Sequence, residues 1–208
     1  MEHFDTYEDT QHDTNYETLA PTEEDRNGDG RVDYVFSDTD NDGRYDTVQA
    51  DTNHDGWYDT KWTDMDENGH AERIEIDTNH DHRYDRVYDD RNGDGKWDLV
   101  QRDTNFDGRM DEMWSDANHD GKYEFKWYDQ NKDGKYDLWL ADTDQDGRPE
   151  RWMADINKDG RWDYDERDRN LDGEMDWKKI DTDYDGSYDT VAEDSDFDGN
   201  YDRVRRLA

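Results

Sequence analysis

The chain has 208 residues, 62 acidic side chains against 26 basic ones, a formal net charge of −36 and no cysteine. Leu, Ile, Val and Phe number only 22, about a tenth of the chain, and so low a share with so large a charge normally leaves a polypeptide unfolded. The charge also argues against nucleic acid and anionic lipid as partners. No apolar run is long enough to insert into a membrane, and disulfides and thiolate metal sites are excluded.

Residues 1–24 are irregular. Met1-Glu2-His3-Phe4-Asp5 lacks the basic and apolar regions of a secretory signal. Asp13-Thr14-Asn15-Tyr16-Glu17 resembles the motif that follows but lacks its Asp-Gly. The segment reads as a decayed repeat, a cap, or an arm that pairs with another molecule.

From Asp25 to Arg206 the chain divides into fourteen blocks of thirteen residues without insertion or deletion, a single array over 25–206, leaving residues 207–208 as a tail. Each block reads D-x-[N/D]-x-D-G-x-x-D followed by four variable residues. Slot one holds Asp25, Asp38, Asp51, Asp64, Asp77, Asp90, Asp103, Asp116, Asp129, Asp142, Asp155, Asp168, Asp181 and Asp194. Slot three holds Asn27, Asp40, Asn53, Asp66, Asn79, Asn92, Asn105, Asn118, Asn131, Asp144, Asn157, Asn170, Asp183 and Asp196. Slot five holds Asp29, Asp42, Asp55, Asn68, Asp81, Asp94, Asp107, Asp120, Asp133, Asp146, Asp159, Asp172, Asp185 and Asp198. Slot nine is always acidic: Asp33, Asp46, Asp59, Glu72, Asp85, Asp98, Asp111, Glu124, Asp137, Glu150, Asp163, Asp176, Asp189 and Asp202. Slot six is Gly except at His82, where a positive φ is expected at some steric cost. These slots carry 46 of the 62 acids, so the charge is gathered into clusters of fixed spacing.

Oxygen donors at slots one, three and five followed by Gly wrap a chain around a small sphere. The backbone carbonyl of slot seven can face the same centre. That slot is filled by Arg31, Arg44, Trp57, His70, Arg83, Lys96, Arg109, Lys122, Lys135, Arg148, Arg161, Glu174, Ser187 and Asn200. With the slot-nine acid and water this gives six or seven oxygens, which suits Ca²⁺ better than the stricter octahedron of Mg²⁺. The absence of imidazole and thiolate from the donor set argues against zinc or copper. Fourteen Ca²⁺ ions would bring the formal charge from −36 to about −8, an ordinary value for a soluble domain.

The motif resembles EF-hand and dockerin loops, yet their acid at position twelve has counterparts here only at Glu75 and Glu166. Thrombospondin type-three repeats are similar in being tandem and acidic, but carry cysteines. The run Asp90-Arg-Asn-Gly-Asp-Gly-Lys-Trp-Asp-Leu-Val100 most closely resembles the FG-GAP calcium loop of integrin alpha propellers. That resemblance implies ligand roles for the slots and a strand–loop–strand setting, block by block.

After each Gly comes a stretch of about seven residues, such as Lys135 to Ala141, rich in aromatic and β-branched side chains. These stretches read as strands joined by six-residue loops. The expected fold is all-β, a long antiparallel meander with calcium loops along both edges; the alternative is a β-solenoid with two blocks per coil. On a regular strand slots eight, ten and twelve share one face, while seven, nine, eleven and thirteen share the other. Yet slot eight (Tyr45, Tyr58, Trp97) and slot eleven (Val48, Ile74, Val87) are both apolar, so no clean core face is specified unless the strand bulges near the loop or both faces are buried. Slot twelve alternates apolar and polar from Phe36 to Trp114, which favours a two-block unit. Pro149 interrupts a strand and suggests an edge or a position without a ladder hydrogen bond.

His54, His80 and His119 in slot four read as exposed loop filler, with His80 and His82 a weaker prospect for a transition metal. Thr in slot two (Thr39, Thr52, Thr78, Thr104, Thr143, Thr182) reads as a loop cap rather than an ice-ordering ladder. No nucleophile–base set, phosphate loop or cofactor motif is present, and no pair of acids differs from its counterparts in other blocks, so no enzyme is expected. The function expected is a calcium-binding structural repeat protein folded by about fourteen Ca²⁺, a rod or self-assembling component at or outside the cell surface. Exposed strand edges or the N-terminal arm would join copies into a homo-oligomer or filament. An intracellular calcium buffer or sensor and a calcium-dependent glycan- or protein-binding module are the alternatives.

Overall fold

The computed structural model describes residues 19–207. They form fifteen short strands in chain order, with no helix among them. The chain divides into two compact units, Met1–Gln101 and Arg102–Ala208. The first carries β1 (Thr22–Glu24), β2 (Tyr34–Ser37), β3 (Thr47–Ala50), β4 (Thr60–Thr63), β5 (Arg73–Ile76) and β6 (Arg86–Asp89). β7 (Leu99–Arg102) falls on the boundary. The second carries β8 (Glu112–Ser115), β9 (Phe125–Tyr128), β10 (Leu138–Ala141), β11 (Arg151–Ala154), β12 (Tyr164–Arg167), β13 (Trp177–Ile180), β14 (Thr190–Glu193) and β15 (Arg203–Arg206).

Within each unit consecutive strands pair antiparallel, which is the meander; the chain makes no two-block coil. Apart from the three-residue β1, strands are four residues long, not seven, occupying slots ten to thirteen. The slot-seven to slot-nine segment is given over to the loop. That also accommodates Pro149, which sits in slot eight ahead of β11.

One register recurs. Slot ten lies opposite slot thirteen and slot eleven opposite slot twelve, as in Tyr34↔Ala50 with Val35↔Gln49 and Leu138↔Ala154 with Trp139↔Met153. Side chains directly opposite share a face, so slot twelve of one strand lies with slot eleven of the next. Each face is therefore built from slots ten and twelve of one strand and eleven and thirteen of its neighbours. In the first unit this gathers Tyr34, Phe36, Val48, Ala50, Trp62, Ile74, Ile76 and Tyr88 on one face. Thr60 and Arg86 share that face, whereas Ser37, Thr47, Gln49, Lys61, Thr63, Arg73 and Glu75 fall on the other together with Val35 and Val87. The two-block alternation of slot twelve is the signature of this face exchange.

Slot eight departs from regular alternation. The Tyr45 ring lies 6.1 Å from that of Phe36, and Phe36 is opposite Val48. Tyr45 therefore serves the same face as slot eleven of its own block. Tyr88–Trp97 and Trp114–Tyr123 repeat the contact at 5.7 and 5.9 Å. The break in alternation ahead of slot nine lets slots eight and eleven pack together. In the second unit Phe125, Trp127 and Trp139 cluster at 5.9–6.3 Å on one face, and Trp152 stacks on Tyr164 at 4.6 Å on the other. Such pairs contribute about 0.5–1.5 kcal/mol each beyond simple burial.

Candidate metal centres in the edge loops

Block 129–141 shows how each loop is built. Asp129 Oδ1 accepts the amides of Lys132 (2.7 Å) and Asp133 (3.3 Å), and its Oδ2 accepts that of Gly134 (2.6 Å). Asn131 Oδ1 accepts the Asp133 amide, and Asp133 Oδ1 accepts the amide of Lys135, both at 3.0 Å. Asp137 Oδ2 closes the ring by accepting the amides of Gln130 and Asn131. The same bonds recur in block 155–167, and all but the slot-four amide bond recur in block 51–63. Slots one, three, five and nine are thus drawn together around one loop, and slot seven is tied in through its amide.

The thread turns through two left-handed residues. Slot six is one: His82 sits there at φ 71° and still donates its amide to Asp77 at 2.7 Å, as the glycines do in their loops. Slot four is the other, at φ 56–66° wherever it is not Gly. Sequence reading missed slot four, although its Gly, Asn and His residues are those that tolerate this region.

Thr in slot two caps the loop as expected. Thr39 Oγ1 donates to Asp46 at 2.8 Å, and Thr52, Thr78, Thr104, Thr143 and Thr182 do likewise to their own slot-nine acids.

Among the described residues, 22 acidic side chains are buried, against eight apolar ones. All of these acids but Asp165 occupy slot one or slot nine. Hydrogen bonds stabilise the charge in part. Burial alone would raise Asp46 and Asp111, but Thr39 and Thr47 on the first, and Thr104 and Lys132 on the second, hold them below the usual carboxylate range. Elsewhere donors fall short. Burial pushes the Asp64 and Glu72 carboxyls up, with neighbouring Asp66 adding to both. The charges of Asp198 and Asp202 push Asp196 up. Asp111 Oδ1, Asp137 Oδ1, Asp142 Oδ1 and Glu72 Oε1 are buried and accept no hydrogen bond.

Several sets of carboxylates converge closely enough to share one cation: Asp38, Asp40 and Asp42; Asp64, Asp66 and Glu72; Asp116, Asp120 and Glu124; Asp142, Asp144 and Glu150; and Asp181, Asp183 and Asp189. Four of these five contain an Asp in slot three. Where slot three is Asn, its Nδ2 donates to the slot-five carboxylate, as in Asn53–Asp55, Asn105–Asp107 and Asn170–Asp172. The block with Asn68 and Glu72 retains its acidic cluster, because the longer Glu arm reaches in from slot nine.

Loops on one edge also grip each other, which no local pattern announces because the partners lie about two blocks apart. Slot four reaches back: His54 Nδ1 lies 3.0 Å from Asp33, Lys132 Nζ 3.0 Å from Asp111 and Lys158 Nζ 2.8 Å from Asp137. His54 and His80 also meet Asn27 and Asn53, so these histidines are fastened rather than free filler. Slot seven reaches forward: Arg109 Nη1 donates to the Asp133 carbonyl at 2.6 Å and Arg161 Nη1 to that of Asp185 at 3.0 Å. Trp57 makes the equivalent reach onto the ring of His82 at 4.4 Å. An aromatic pair thus replaces the usual Arg over Gly.

The chain matches no protein-family model, no curated protein and no solved structure. The described residues form an all-β repeat array with acidic clusters compatible with metal binding.

Proposed function

We propose that the chain is a calcium-stabilised structural repeat, each block a four-residue strand plus one ion loop, working as a rigid array at or outside the cell surface. The observation that carries this reading is the burial of more acids than apolar side chains. An uncompensated buried charge costs several kcal/mol, and amide donors leave carboxylate oxygens without partners in the loops of Asp142 and Glu72. A divalent ion supplies what is lacking: two positive charges at the point where slots one, three, five and nine converge. The donors are hard oxygens in flexible number, which favours Ca²⁺ over Mg²⁺ and over transition metals. Extracellular modules are commonly tuned to about 10⁻⁴–10⁻³ M Ca²⁺, where such loops stay filled.

The test is a Ca²⁺ titration of EDTA-stripped protein, followed by circular dichroism, tryptophan emission and calorimetry. Cooperative gain of the sheet signal near millimolar Ca²⁺, with a stoichiometry approaching fourteen, is expected. A full sheet signal and unchanged thermal unfolding in EDTA overturn the reading. Graded submicromolar uptake without folding identifies a buffer instead.

A further inference from the structure

We propose that the array holds two classes of calcium ion. Structural ions sit in loops whose slot-nine acid has no cationic partner; exchangeable ions sit in loops where a lysine from the next loop on the same edge already neutralises that acid. This deepens the calcium reading and rests on it.

Two loops of the second unit are of the exchangeable kind. Lys132 Nζ lies 3.0 Å from Asp111 Oδ2 and donates to Thr104 Oγ1 at 2.7 Å, and Lys158 Nζ lies 2.8 Å from Asp137 Oδ2. Both carboxylates are buried, at 1% and 3% exposure, so each ammonium is a tethered cation beside a charge that water screens little. Slot three of these loops is Asn105 and Asn131, whose Nδ2 donates to the slot-five acid and brings no charge. A divalent ion entering either loop meets a positive charge fixed on one of its ligands. When it leaves, Asp111 and Asp137 keep their lysines, and the amide bonds to Asp103 and Asp129 still hold the loop closed.

Loops 64–72 and 142–150 are built the other way. Slot three is Asp66 and Asp144, and the carboxylates of Asp64, Asp66 and Glu72, like those of Asp142, Asp144 and Glu150, converge to within 4.8 Å. The slot-four residues two blocks on, where the lysines stand in the other class, are Gly93 and Leu171, neither of which carries charge. The donors to the two glutamates are neutral: the Met65 amide for Glu72, and the amides of Thr143 and Asp144 with the Thr143 hydroxyl for Glu150. Glu72 Oε1 and Asp142 Oδ1 are buried and accept no hydrogen bond. An ion taken from these loops leaves like charges crowded together, which opposes the closed form. Its binding also gains from the extra carboxylate, because ligand charge raises calcium affinity in oxygen-lined loops. The array can therefore surrender part of its calcium while the sheet stands.

Each loop carries its own reporter, the slot-six glycine whose amide donates to the slot-one acid: Gly108, Gly134, Gly69 and Gly147. The test follows these amides by NMR in calcium-loaded, ¹⁵N-glycine-labelled protein as buffered free Ca²⁺ is lowered stepwise. Gly108 and Gly134 should respond at about tenfold higher free Ca²⁺ than Gly69 and Gly147, with the sheet signal in circular dichroism intact between the two steps. K132Q with K158Q should move Gly108 and Gly134 toward the later step and leave Gly69 and Gly147 in place. L171K should do the converse, bringing Gly147 toward the earlier step. Four glycines responding together, Gly69 or Gly147 responding first, loss of the sheet at the first step, or variants that leave the order and spacing unchanged would overturn the two classes and leave the calcium reading standing. No response to calcium in any glycine or in the sheet signal sinks the calcium reading itself.

Discussion

Asp165 offers a test of how this sheet tolerates buried charge away from the loops. It lies on β12, is 0% exposed, and accepts hydrogen bonds from Arg151 at 2.8 and 2.9 Å and from Arg167 at 2.9 and 3.3 Å, with Lys179 Nζ at 3.5 Å. Arg151 and Arg167 are directly opposite each other across β11 and β12, so the carboxylate is what lets two like charges face. Asp165→Asn keeps the shape and removes the charge. Deleting one partner of a buried ion pair costs about 3–5 kcal/mol. Both guanidiniums remain about a third exposed, at 33% and 39%, so water recovers part, and we expect a loss of about 2 kcal/mol. For a unit of this size that lowers Tm by roughly 8–16 °C. Burial would raise the Asp165 carboxyl, but the hydrogen bonds from Arg151 and Arg167 hold it below the usual range. Its contribution is therefore present above the ordinary unfolded value near 4 and lost as pH falls through the lower folded value. Thermal unfolding of parent and variant in excess Ca²⁺ should show the full gap at pH 7 and a closing gap well below pH 4. A Tm within about 2 °C of the parent at pH 7, or a gap that persists unchanged into acid, would refute the reasoning.

Two further expectations follow from the loops. Leu171 holds φ 60° at an exposed slot-four tip; Leu171→Asn, a residue suited to that region, should raise the urea midpoint in excess Ca²⁺ by about 0.5–1 kcal/mol equivalent, and an unchanged or lower midpoint contradicts the strain argument. The raised Asp64 and Glu72 carboxyls retain protons at a pH where ordinary carboxyls have lost them, so without metal their contribution to stability falls as pH rises through the carboxylate range. Calcium should then expel more protons per chain at pH 5 than at pH 7, measured by calorimetry in two buffers of different ionisation heat, and Glu72→Gln should reduce the difference; release that does not vary with pH counts against it.

Much of this architecture was legible because the repeat is local. The thirteen-residue period, the acids of slots one, three, five and nine, the turn at slot six and the Thr caps all act within one loop, where spacing along the chain equals spacing in space. Slot eight against slot eleven looked contradictory because a regular strand was assumed through slot nine, whereas the chain leaves strand geometry there and brings Tyr45 beside Phe36. The slot-four and slot-seven reaches were not legible at all. Lys132 finds Asp111, and Arg109 finds the Asp133 carbonyl, only after folding has set alternate loops side by side.

The odd length of the repeat has a consequence for how such an array can change size. Excising block 51–63 would seat β5 directly after β3, and Ile74 and Ile76 would then line up with Gln49 and Thr47 instead of with Trp62 and Thr60. The two isoleucines of β5 would emerge on the face that carries Gln49, Lys61 and Glu75. Removing two consecutive blocks restores the match, so viable lengthening or shortening of this molecule proceeds in steps of twenty-six residues, and a single-block length variant is self-penalising wherever one side is greasy and the other is not.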